Sequence, residues 1–218
     1  MHFYNVHTHY RAQAADETVL RNAYMYAQRL RPTDYALSAG LHPWYIHGEI
    51  AAAEEGLQAA LRNPQVKALG ECGLDRLKGP PFEIQYTFLQ MQRRLAEAVG
   101  KPLIIHCVRA YDEILEQLKD AEVPVILHDF RAGLVQTQRL LHYPQFYFSL
   151  GKGLLNGSPG HLQAYAVIPP ERLLFETDTL RMPVRRVYER YAQQFSISPG
   201  KLAAVTEAVV HTIWPSGL

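Results

Sequence analysis

Short apolar runs alternate with amphipathic stretches from one end of this 218-residue chain to the other. The strand-like runs are residues 3–6, a weaker 18–24, then 35–39, 66–69, 102–105, 124–127, 145–149 and 172–175. Their lengths and flanking glycines and prolines fit buried strands better than helices. Between them, residues 50–62, 81–99, 111–119, 133–142, 184–195 and 199–214 carry apolar side chains at helical spacing. In residues 81–99 the stripe contains Phe82, Phe88, Leu89, Gln92 and Leu95. Ser198 followed by Pro199 marks a helix start.

Strands that alternate with helices imply a parallel sheet built by crossover connections. Eight strand candidates predict an α/β chain folded as a compact (β/α)8 TIM-type barrel, with residues 1–218 as a single domain. Such barrels typically need about 250 residues. The connections must therefore be trimmed, and residues 9–32 have no room for a full helix on both sides of their strand. An open doubly wound sheet is the competing arrangement. Its usual glycine-rich phosphate turn after the first strand is absent.

Six of the eight strand-like runs lead into a side chain that can bind a metal: His7 and His9, His42, Glu71, His106, His128 and Asp178. In a barrel of this type the active site lies at the C-terminal strand ends, so these residues should converge. Residues two apart on a strand share a face, which lets His7 and His9 grip one ion. Imidazole suits Zn, Mn, Fe, Co or Ni. Glu71 could give one oxygen to each of two ions, and Asp178 could bind one ion and take a proton from water. Two such ions activate water and stabilise charge on a phosphoryl or carbonyl oxygen. Singly, each residue has an ordinary structural reading: His106 as a hydrogen-bonded core residue, Asp178 as a helix cap, Glu71 as a surface acid. The set carries the argument. His2, His47, His142, His161 and His211 lack this context and read as surface or packing residues.

Composition narrows the class. With 48% hydrophobic and 20% charged residues the chain reads as an ordinary globular protein. The net charge of +1 lacks the strongly basic footprint of many nucleic-acid binders, although a bound metal can supply a local positive field. Two cysteines, Cys72 and Cys107, build neither a disulfide framework nor a four-cysteine zinc site, and they are expected to pack as small buried residues. No secretory signal or membrane span is evident, so a cytoplasmic setting is expected.

In this order the motifs resemble the TatD family of metal-dependent deoxyribonucleases, a branch of the amidohydrolase-like barrels. His7-Thr8-His9 is similar to the family's His-x-His, and Gly40-Leu41-His42-Pro43 to its Gly-x-His-Pro. Gly70-Glu71-Cys72-Gly73-Leu74-Asp75 resembles its Gly-Glu-x-Gly-Leu-Asp, the most specific piece. His106 with Arg109, His128 with Phe130, Ser149-Leu150-Gly151 and Glu176-Thr177-Asp178 follow. The resemblance implies two divalent ions (Zn, Mg or Mn). His7, His9 and Asp178 would hold one, and Glu71 would bridge to a second held also by His106 and His128. Asp178 and Glu71 would be the catalytic pair, with Asp178 as general base. His42, Arg109 and Asp75 would contact substrate or support the ligands.

Asn5 stands where the family usually has aspartate, as a support for the ligands. The activity implied is phosphodiester hydrolysis, with DNA as the partner and no obligate protein partner evident. Arg76, Lys78, Trp44, Tyr45, Arg109, Arg131, Lys152 and Arg181 are candidates for the substrate rim. Two other readings stay open at this point: a metal-dependent hydrolase of small amides, esters or lactones, and a binding protein that has kept the barrel without catalysis.

Overall fold

The computed structural model describes residues 1–23 and 35–218. Its strands are β1 (Phe3–Thr8), β2 (Glu17–Asn22), β3 (Ala36–Ala39), β4 (Val66–Asp75), β5 (Leu103–Val108), β6 (Val125–Leu127), β7 (Phe146–Leu150) and β8 (Leu173–Phe175). They form one eight-stranded sheet in sequence order. A parallel bridge between Thr8 and Asp178 joins the first strand to the segment after the last. This is the strand order of the expected (β/α)8 barrel.

The helices are α1 (Ile50–Leu61), α2 (Phe82–Val99), α3 (Tyr111–Leu118), α4 (Leu134–Leu141), α5 (Lys152–Asn156), α6 (Pro159–Ala166), α7 (Arg185–Phe195) and α8 (Pro199–Ile213). The Ser198 cap is present, its Oγ accepting from the Lys201 N–H at 3.2 Å. The short α5 and the weakly amphipathic α6 were not anticipated from periodicity. Ser158-Pro159 at the start of α6 repeats the Ser-Pro signal of α8. No helix lies between β1 and β2. The connection from β2 to β3 runs through residues 24–34, so the end of the expected 18–24 strand and part of the 9–32 segment lie outside the described residues. Among the described residues no helix is long and apolar enough to cross a membrane.

The described chain divides into two compact units, Met1–Arg21 with His128–Leu218, and Asn22–Leu127. In the first, Leu173, Leu174 and Phe175 of β8 are fully buried, as are Phe146, Phe148 and Leu150 of β7. In the second, Leu103–Ile105 and Val125–Leu127 are equally buried. Strands covered on both faces must be apolar throughout, which explains runs without polar alternation.

Strand β4 departs from expectation. The run from Val66 was expected to end at Leu69, but it continues to Asp75. Gly70 pairs with Ile104 and Cys72 with Ile105, so Glu71 is the extra residue of a bulge in the β4–β5 ladder. A bulge re-aims a side chain without ending the strand. The glycines that look like terminators allow a close approach instead. A Cβ on Gly70 would lie 2.5 Å from the Ile104 carbonyl oxygen, and one on Gly73 only 2.1 Å from that of His106. Both have positive φ, 144° and 140°.

Two buried glutamines of α2 then hold the strand ends. Gln85 Oε1 accepts from Asp75 N–H at 2.8 Å and its Nε2 donates to Asp75 O at 3.0 Å. Gln92 Oε1 accepts from Leu41 N–H at 2.7 Å, next to His42. Gly73→Ala is expected to cost about 3 kcal/mol or more in urea unfolding, because backbone must shift. Gly100→Ala, at φ 62° with open space around it, should cost only about 1–2 kcal/mol.

Candidate metal centre

In the first unit, pairing fixes the geometry before any side chain acts. Asp178 N–H donates to His7 O and His9 N–H donates to Asp178 O, both at 3.0 Å. Asp178 is therefore bridged to Thr8 of β1, between two residues that share a face. Its Oδ1 lies 3.3 Å from His9 Nε2 and 3.7 Å from His7 Nε2. One carboxylate oxygen and two imidazole nitrogens converge, and these three residues lie close enough to share an ion. Burial pushes the Asp178 carboxyl up, but hydrogen bonds to His7 and His9 and the charge of His128 outweigh it. The carboxyl is held far below the usual range.

The His128 ring lies 4.5 Å from that of His7. Its Nδ1 is 3.1 Å from Oε1 of Glu176, which also accepts from Asp129 N–H at 2.9 Å. With Nδ1 as donor, Nε2 becomes the nitrogen with the lone pair, the tautomer a metal ligand needs. Glu176 is fully buried, and burial raises its pKa against the opposing pull of His128.

In the second unit, His42 Nδ1 accepts from Trp44 N–H at 3.0 Å. A neutral His42 must then carry its proton on Nε2, which lies 3.1 Å from Glu71 Oε1. His42 is thus a donor to Glu71, and it is not suited to ligate through that nitrogen. His106 lies between two carboxylates, with Nδ1 3.1 Å from Glu71 Oε1 and Nε2 3.1 Å from Asp75 Oδ2. A neutral imidazole has one proton to give. If it goes to Asp75, the Nδ1 lone pair faces a carboxylate oxygen, and only a second proton or a cation between them relieves the contact. The donor set therefore fits a divalent cation. Asp75 is lowered on balance: burial raises it, while Trp44, the Leu77 N–H and His106 pull it down further. Asn22 Nδ2 donates to Glu71 Oε2 at 3.1 Å.

The geometry thus groups His7, His9 and Asp178 in one unit and His42, Glu71, His106 and Asp75 in the other. Arg109 is exposed just beyond β5, with φ 52°. Asp129 (φ 37°) and Asp178 (φ 48°) also hold left-handed backbone beyond strands. Such strain in non-glycine residues gathers at functional sites. Of the rim candidates, Arg131 is engaged by Asp129 and Arg76 by Glu113, while Lys78 lies over Trp44. Cys72 is buried, and burial pushes the Cys107 thiol up to about 12.

Sequence reasoning gave no role to Glu176, Asn22 or Glu17. Asn22 ends β2, one of the two strands to which no ligand-type residue is assigned, and that position was the available signal. Glu17 explains Asn5. Asn5 Nδ2 donates to Glu17 Oε1 at 2.8 Å and to Thr177 Oγ1 at 2.9 Å, and its Oδ1 accepts from Thr177 N–H at 3.1 Å. An aspartate could not donate to Glu17.

The class of protein so defined is a parallel α/β barrel whose strand ends carry imidazoles and carboxylates in groups that could hold a metal ion. A family profile described as TatD related DNase matches residues 8–215, and the chain belongs to that family. It is 31% identical over 161 residues to the human 3'-5' RNA nuclease TATDN2, covering 71% of this chain and 21% of that protein. It is 33% identical over 156 residues to the 3'-5' ssDNA/RNA exonuclease TatD of Klebsiella pneumoniae, covering 65% of this chain and 56% of that one. These matches span about a fifth and about half of the two relatives' lengths. The fold is shared with YJJV, a TatD homolog from Escherichia coli, at a TM-score of 0.82 and 22% identity over 98% of both chains.

Asn5→Asp is expected to set two carboxylates against each other and lower stability by about 2 kcal/mol at neutral pH. One of the pair has its folded-state pKa raised, so the folded protein gains a proton on acidification and the loss shrinks as pH falls. Adding Glu17→Gln should recover most of it in a double-mutant cycle.

Proposed function

We propose that the chain is a metal-dependent phosphodiesterase acting on nucleic acid, DNA or RNA. The observation that carries this reading is the convergence of imidazole nitrogens on a single carboxylate oxygen in each unit, in a member of this family. Two divalent ions are proposed. His7, His9 and Asp178 would hold one, Glu71 and His106 the other, and His128 would offer Nε2 as a further ligand. The predominance of imidazole favours Zn over Mg, and the carboxylates of the set also suit Mn. When bound, such ions polarise the phosphoryl oxygen and activate water.

The chain's own groups supply the rest. Asp178, kept ionised, accepts the proton as a water oxygen attacks phosphorus and the bond to the leaving oxygen breaks. Asp75 and Glu176 fix the tautomers of His106 and His128. Asn22 and His42 orient Glu71 by donating to opposite oxygens. Arg109 is proposed to bind the substrate phosphate. Two free cysteines are consistent with the cytoplasm as the place of action.

The test is hydrolysis after chelator treatment and reloading with Mn, Zn or Mg, on single-stranded DNA, single-stranded RNA, bis-p-nitrophenyl phosphate, and ester and amide substrates. Mn or Zn should restore phosphodiester cleavage, and Asp178→Asn should lower kcat by about 10²–10⁴-fold. Cleavage confined to esters or amides would reject the substrate class, and metal-independent turnover would reject the mechanism.

A further inference from the structure

Two loops of the second unit, residues 42–46 after β3 and 76–81 after β4, present aromatic and cationic groups side by side. Trp44 is 37% exposed. Its ring is nevertheless fixed, because Nε1–H donates to Oδ2 of buried Asp75 at 2.6 Å. Its backbone N–H is held by His42. The Lys78 ammonium lies 3.7 Å from the ring centroid. Beyond it opens a cleft of about 430 Å³ lined by residues 75–82 and Gln85, where the Arg76 guanidinium lies over Phe82 at 4.5 Å.

An indole whose one edge is tied to a buried carboxylate loses little freedom when a flat ligand stacks on it. The ligand that fits an aromatic face beside cations is a nucleobase carrying a phosphate, since every base has a π-face and basic groups track the backbone. We infer that Trp44 and Lys78 form a stacking plate for the terminal base of a single-stranded nucleic acid, an inference that rests on the phosphodiesterase reading. The ring centroids of His42 and His106 lie 4.8 and 5.7 Å from that of Trp44, and both histidines contact Glu71 Oε1. A base on Trp44 therefore sits one ring away from Glu71. Lys78, on a flexible stem, yields the face to the base and pairs with its phosphate. Bases within a duplex are already stacked and must be extruded first, so the plate selects unpaired ends.

The test compares the Mn-loaded protein on a thymidine hexanucleotide and on an abasic hexamer with the same number of phosphates. The wild type should favour the base-bearing strand in kcat/KM by about tenfold or more. Trp44→Ala should bring that ratio close to one, and Trp44→Phe, which keeps a π-face and loses the bond to Asp75, should retain most of it. A purely structural role for Trp44 would lower both substrates equally and leave the ratio intact. A phosphorothioate hexamer provides a readout independent of cleavage. Of the two tryptophans, Trp214 is only 4% exposed, so quenching lost in Trp44→Phe reports the plate. Quenching without cleavage keeps the plate and rejects the phosphodiesterase reading. Cleavage with a wild-type ratio near one overturns the plate alone, and neither quenching nor cleavage overturns both.

Discussion

The contact between β4 and β5 at Gly70 and Gly73 decides where Glu71 can go. No side chain fits between these backbones, because a Cβ would approach carbonyl oxygens to within 2.5 and 2.1 Å. The ladder bulges at Glu71 and resumes at Cys72. That one extra residue points a carboxylate at His42 and His106, and Asp75 then ends the strand against the far nitrogen of His106. The Gln85 and Gln92 bonds from α2 hold the same two strand ends from outside. A parallel barrel supplies the direction, and a local defect in its ladder supplies the aim.

Hydrogen bonds assign work to each imidazole. His42 is committed as a donor by the Trp44 N–H, His128 is turned toward Nε2 by Glu176, and His106 is caught between two acceptors. Such outer partners set tautomer and orientation. The acids beside these rings thus divide into two kinds. Glu71 and Asp178 face converging nitrogens. Glu176 stands against Nδ1 of His128 and Asp75 against Nε2 of His106. Asn5 acts at one remove, because its amide ties Glu17 to Thr177, next to Asp178.

Much of this was legible in the amino-acid order, for a specific reason. A strand buried on both faces must be apolar until it reaches the site, so the first polar residue after each run is a candidate. His7, His106 and His128 were found in that way. The same rule misled at Gly70, where glycine reads as a break and instead permits close approach. It was silent at Glu17, at the buried start of a strand, because an acid there makes sense only beside an amide twelve residues earlier. The helices α5 and α6 were missed because neither carries a strong apolar stripe. Partner-dependent features, such as the proton on His42, depend on distances that no spacing rule encodes.

The central claim is that these strand ends bind divalent ions. Anomalous diffraction at the Mn or Zn edge, from crystals grown with either metal, addresses it most directly. The account predicts one peak within coordination distance of His7, His9 and Asp178 and another beside Glu71 and His106, about 2.0–2.2 Å from the ligating atoms. Peaks confined to the protein surface, with His106 still directly bonded to Glu71, would contradict it.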